Sequence, residues 1–90
     1  MKFEWDPRKA LLNFAKHGVS FGEAATVFRD PLSATAFDPA HSKQEDRFIT
    51  FGISAPGRLL IVAHTDRGEI IRIISARCAT KREKRIYEET

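Results

Sequence analysis

Two arginines, Arg72 and Arg77, stand inside the apolar run Gly68-Glu69-Ile70-Ile71-Arg72-Ile73-Ile74-Ser75-Ala76-Arg77. A run of this kind, with a turn before it and a charged segment after it, reads as a central strand. A guanidinium cannot shed its charge, so each arginine either meets a carboxylate or points at an anion. Elsewhere the chain offers Lys16 and His17, His41 and Glu45, Arg47, and His64. Cations, a carboxylate and imidazoles are the parts of metal-free RNA cleavage. That reaction needs a base for the ribose 2′-OH, positive donors around the phosphorus and an acid for the leaving 5′-oxygen. The same parts serve RNA binding without cleavage, or a structural cluster of ion pairs.

Other chemistries fit less well. The three histidines share no metal-ligand spacing, so neither a metal nor a cofactor is expected. Nothing in the sequence forms a glycine-rich phosphate loop. The single Cys78 follows Arg77, but neighbours along a strand point oppositely, so Cys78 is expected as a small buried hydrophobe rather than a nucleophile.

Ninety residues with one cysteine bound the remainder: one domain spanning residues 1–90, without a disulfide, in keeping with a reducing cytoplasm. No apolar run is long enough for a membrane span, and no membrane association is expected. The net charge of +3 is unevenly placed. The first 45 residues hold 6 basic and 6 acidic side chains, and the last 45 hold 9 basic and 6 acidic, with arginine in the majority among the basic ones. That bias suits phosphate or carboxylate recognition, although a solvated surface explains it equally well.

The elements that must position these residues follow from local signals. Phe3 and Trp5 alternate with polar residues as in a short strand. Asp6 and Pro7 open a helix from Pro7 to His17, with Leu11, Leu12, Phe14 and Ala15 as its apolar side and Gly18 as its left-handed stop. Ser20 with Glu23, and Val19 with Ala24, open a second helix that ends at Asp30-Pro31. Strands are expected from Leu32 to Phe37, Asp46 to Phe51 and Leu59 to Ala63, and then along the arginine-bearing run. Thr80 with Glu83 caps a final helix whose charges run against its dipole. The fold class expected is α+β: a small antiparallel sheet of three or four main strands plus a short N-terminal strand, packed against a helical hairpin, with a C-terminal helix.

The ordered set Trp5-Asp6, Asn13, Lys16-His17-Gly18, Phe21, Glu23-Ala24, Phe28, Asp30-Pro31, Glu45, Arg47, Gly52 and Arg72-Ile73-Ile74-Ser75-Ala76-Arg77 resembles the BrnT family, and the resemblance extends from Phe3 to Tyr87. It implies a toxin of a type II toxin–antitoxin system, a ribonuclease with a RelE-like fold. It also implies a BrnA-type antitoxin partner, an RNA substrate, contact with operator DNA only through the antitoxin complex, and a heterotetramer of two toxins and two antitoxins. Carried over position by position, it points to Lys16, His17, Glu45, Arg47, Arg72 and Arg77. Arg72 and Arg77 would bind the scissile phosphate, with Lys16 as a nearby cation and His17 as proton carrier. Glu45 would be the general base or the partner of an arginine. Cys78 stands where relatives often have a basic residue, and His41 and His64 receive no role, which suits surface or turn residues.

A regular strand cannot present both arginines to one phosphate, because residues 72 and 77 differ in parity. Either a bulge re-aims one, or the strand ends near Ser75 and Arg77 belongs to the following turn. The small residues Ser75-Ala76 and the nearby cap at Thr80 favour the second.

Overall fold

The computed structural model describes residues 1–89; Thr90, the last residue of the expected domain, lies outside them. Strand β1 (Lys2–Glu4) leads into helix α1 (Pro7–His17) and helix α2 (Phe21–Thr26), which a 3-10 turn extends over Val27–Arg29. Strand β2 (Ala34–Phe37) and a second 3-10 turn (Pro39–His41) precede the meander β3 (Arg47–Ile53), β4 (Leu59–Arg67) and β5 (Ile70–Cys78), and helix α3 (Lys81–Glu89) follows. The strand order is β1-β5-β4-β3-β2, antiparallel except for the parallel pair β1 and β5. Because β1 and β2 occupy opposite edges, the helices joining them must cross one face of the sheet.

The caps behave as their chemistry dictates. Asp6 accepts from the Arg8 amide at 2.8 Å, and Gly18, at φ 68°, returns its N–H to Phe14. Ser20 caps α2, but the Glu23 side chain leaves the capping box to bind Arg58 and Ser54. At α3 the box closes in both directions, with Thr80 N–H on Glu83 and Glu83 N–H on Thr80. Gly52 sits where a side chain has no room: a Cβ there would lie 2.7 Å from a methyl of Val27.

One core lies beneath α1 and α2, built on Val19, Phe21, Ala24, Val27, Leu60, Val62, Ile73 and Ala76. A smaller one lies on the opposite face, where Leu59, Ile61 and Ala79 meet Ile49, Phe51 and Tyr87. Helix α3 spans this second face with no residue fully buried, leaving beneath it an apolar cavity of about 410 Å³ between Phe51, Leu59, Ile61, Ile86 and Tyr87.

Helix α1 reverses the expected orientation. Leu11, Leu12 and Phe14 are 75%, 70% and 56% exposed, while the buried residue is Asn13. The reason lies in the edge of β5. Strand β1 pairs with residues 70–72 only, so the edge of β5 opposite β4 has no strand beside it near Ala76 among the described residues. The Asn13 carboxamide supplies that partner: its Nδ2 donates to the Ala76 carbonyl at 2.8 Å and to the Val19 carbonyl at 3.0 Å, and its Oδ1 accepts from the Ala76 amide at 3.0 Å. A buried backbone group without a partner costs more than an exposed apolar side chain, so the amide decides which face turns inward.

Candidate functional site

Strand β5 does not stop at Ser75 but continues through Cys78, and it contains the bulge. His64 pairs with Ile73 and Ala63 pairs with Ser75, so Ile74 is an extra residue with no partner. Before the bulge the odd positions Ile71 and Ile73 enter the helix-side core; after it Ala76 does. Arg72 and Arg77 therefore share the opposite face, which a regular strand would forbid. Arg72 lies across from Thr65 and Arg77 across from Ile61, four residues apart on β4, so the two arginines are separated by about 13 Å along the strand.

Register then assembles a row across four strands. Glu4 pairs with Arg72, Arg72 with Thr65, and Thr65 with Arg47, all on one face because directly opposed residues share a face. The row floors a groove of about 540 Å³ lined by Lys9 of α1, by His41, Lys43 and Glu45 of the β2–β3 loop, and by Arg47, Thr65, Arg67 and Arg72. Lys9 arrives one helical turn before Asn13, from the helix docked along the edge of β5.

Of the residues that sequence reasoning singles out, Glu45, Arg47 and Arg72 meet in this groove. Arg72 spends one N–H on Glu4 at 2.6 Å. Glu45 is clasped by Arg67, with Nε at 2.9 Å and a second N–H at 3.2 Å. That clasp holds the Glu45 carboxyl below its ordinary range, and the charges of Arg72 and Arg47 pull in the same direction. Arg77 is engaged elsewhere, giving two N–H groups to the two oxygens of Glu83 at 2.7 and 2.9 Å. Lys16 and His17 close the far end of α1, about 10 Å along the helix axis from Lys9, and do not line the groove.

The Arg77–Glu83 pair ties α3 to the sheet and has a pH signature. The Arg77 hydrogen bonds, aided by the Thr80 amide, lower Glu83 from 4.5 to about 2. A carboxyl depressed on folding stabilises fully above its unfolded value, and the gain is lost as pH falls through the folded one. Glu83→Gln is therefore expected to melt below the wild type at pH 7, with the gap closing between about 4.5 and about 2. Thermal unfolding across that range checks it, and a pH-independent gap would remove the pair from the account.

Two residues depart from their expected places. His64 is 2% exposed, because β4 runs on to Arg67 and its parity with Leu60 and Val62 turns it into the helix-side core. There its Nδ1 meets Asp66 at 2.8 Å and its Nε2 meets Thr50 at 2.7 Å, with Thr35 beyond Thr50 at 2.7 Å. A carboxylate only accepts, so in the neutral ring Nδ1 donates to Asp66, and Nε2 accepts from Thr50, which accepts from Thr35. Cys78 is exposed at the C-terminal end of β5. His41 is the exposed turn residue expected, and it also lines the groove, with its Nδ1 meeting Asp38 at 2.8 Å. The loop that carries it is stapled by the Ser42 hydroxyl, which receives the Arg47 amide at 2.9 Å.

Lys9, Lys43, Arg67 and Thr65 were not singled out by sequence reasoning. Their gathering at the groove depends on which strands are neighbours and in what register. Among the described residues no cluster of three or more His, Cys, Asp or Glu suits a metal ion, and no helix is long and apolar enough to cross a membrane.

Comparison with known proteins agrees with the residue pattern. A family profile described as ribonuclease toxin, BrnT, of type II toxin–antitoxin system matches residues 5–83. The crystal structure of the Brucella abortus ribonuclease toxin BrnT is similar at a TM-score of 0.65 with 26% sequence identity, covering 90% of this chain and 99% of that one. No curated protein sequence matches. With the family profile covering most of its length, the chain belongs to the BrnT family, the ribonuclease toxins of type II toxin–antitoxin systems.

Proposed function

We propose that the groove over β3, β4 and β5 is the endoribonuclease site and that it cuts RNA without a metal ion. The observation that carries this reading is the gathering of Lys9, Lys43, Arg47, Arg67 and Arg72 around one opening, beside an imidazole held by a carboxylate. Fixed cations supply the charge that a metal would otherwise bring to the phosphorane-like transition state. Asp38 accepts from His41 Nδ1–H, which leaves Nε2 to take the proton of the ribose 2′-OH. The 2′-oxygen then bonds to phosphorus and the bond to the 5′-oxygen breaks. The leaving oxygen takes a proton from the ammonium of Lys9 or Lys43, giving a 2′,3′-cyclic phosphate and a 5′-hydroxyl. Glu45, with both oxygens on Arg67 and its basicity lowered, acts as the strut of the cation array rather than as the base. The step as written does not draw on Lys16, His17 or Arg77.

Among the described residues no Phe, Tyr or Trp lines the groove, which leaves His41 as its one stacking surface for bases. Recognition then falls on the backbone, with weak sequence preference and strong salt dependence. By the same reading, the chain acts in the cytoplasm to inhibit translation. Its cognate antitoxin is a BrnA-type protein that closes the pair into a heterotetramer of two toxins and two antitoxins, and operator DNA is touched only through that partner.

The test is digestion of end-labelled RNA by purified protein in EDTA, with and without ribosomes. Fragments ending in a 2′,3′-cyclic phosphate are expected, with 2′-deoxy substrates untouched and His41→Gln slower by roughly 10²-fold or more. RNA left intact under every condition, while still bound, would replace the enzyme by an RNA-binding module on the same scaffold.

A further inference from the structure

We infer that Thr65 and Arg47 form an oxyanion subsite at the floor of the groove, where a non-bridging oxygen of an RNA phosphodiester is held. The proposal rests on the reading of the groove as an RNA site. Among the described residues only two buried side-chain polar atoms have no hydrogen-bond partner: Thr65 Oγ1 and Arg47 Nε. Both belong to groove-lining residues, and the two residues are direct cross-strand partners. Thr65 is 3% exposed. Two orphaned polar atoms in one small domain, side by side at one site, are more than folding alone accounts for, since each costs stability that an apolar residue of the same shape would not.

The chemistry of the missing partner follows from the atoms. Arg47 Nε–H can only donate, so the ligand atom is an acceptor. The hydroxyl of Thr65 can donate to that same atom. Arg47, Arg72, Arg67, Lys9 and Lys43 surround the place, and the one groove carboxylate, Glu45, is already occupied by Arg67, so the acceptor is anionic. Arg72 stands on the other side of Thr65 in the same row, and among the described residues its one hydrogen-bond partner is Glu4. An oxygen seated over Thr65 is therefore flanked by two guanidinium groups. The Thr65 hydroxyl reaches it by turning between staggered rotamers about χ1.

Inorganic phosphate probes the subsite directly, without any cleavage assay, and a 2′-deoxy oligonucleotide probes it with a backbone that cannot be cut. At constant ionic strength, Thr65→Val is expected to weaken both by about tenfold, with Thr65→Ser close to wild type. In phosphate-free buffer Thr65→Val is expected to melt at or above the wild-type temperature, because it removes a buried hydroxyl that has no partner. With RNA substrate the loss should appear in KM as well as in kcat. Unchanged affinity for both probes in Thr65→Val, accompanied by a lower melting temperature, would show that the hydroxyl serves the fold and would overturn the subsite. Weakening toward phosphate alone would overturn the assignment to the RNA backbone. If cleavage of RNA survived either result, the ribonuclease site would stand without this subsite.

Discussion

Arg72→Ala is expected to lower RNA cleavage by roughly 10² to 10³-fold while leaving the protein folded. The activity loss follows from its place: Arg72 lines the groove in the same row as Thr65 and Arg47, with one N–H on Glu4 and the others without a partner among the described residues. The small structural loss follows from the same pair, since both partners are about a third exposed and such pairs contribute about 0 to 1 kcal/mol. Arg77→Ala is the informative companion. Its guanidinium is bound by Glu83, so the expected result is a loosened α3 and a lower melting temperature, with cleavage within a few-fold of wild type. Single-turnover kinetics and thermal melts on the two variants separate these outcomes. A folded, fully active Arg72→Ala would remove the groove's central cation from the mechanism, and a folded but inactive Arg77→Ala would return that arginine to the phosphate.

Asn13→Leu is expected to be the most damaging single substitution for stability, at about 3 to 5 kcal/mol. Leucine fits the size of the site, yet it strands the Ala76 amide and carbonyl and the Val19 carbonyl together, all at a buried strand edge. A chain of this length has little margin, so a fall in melting temperature of more than about 10 °C is expected. The position also bears on the groove, because the docking of α1 by Asn13 brings Lys9 to it. A melt within a degree or two of wild type would mean that water or a rearranged helix replaces the amide.

Much of the fold was legible because it is written in local signals. Asp6-Pro7 and Gly18 bound α1, and Thr80 with Glu83 capped α3 as expected. The failures share one cause: a residue whose partner lies far away in sequence. Asn13 is buried for a backbone 63 residues further on, and no helical periodicity reveals that. His64 was misplaced because β4 was ended too early, although its alternation with Leu60 and Val62 already pointed inward. In the groove, Glu45, Arg47 and Arg72 were legible as residue types, and the family resemblance selected them. Arg67, Thr65 and Lys9 were not, because only the register of β3, β4 and β5 makes them neighbours.

The unpaired Ile74 bears on this chain in a different way, one of counting. What the bulge absorbs is the odd spacing between Arg72 and Arg77, with no demand on the identity of the extra residue. A substitution at Ile74 leaves both guanidinium groups on the α3 side of the sheet. A single residue lost from that interval makes the spacing even, so a regular ladder without the bulge still keeps both guanidinium groups on the α3 side and Ala76 in the core beneath α1. Drift in sequence is cheap there, and so is loss of the extra residue.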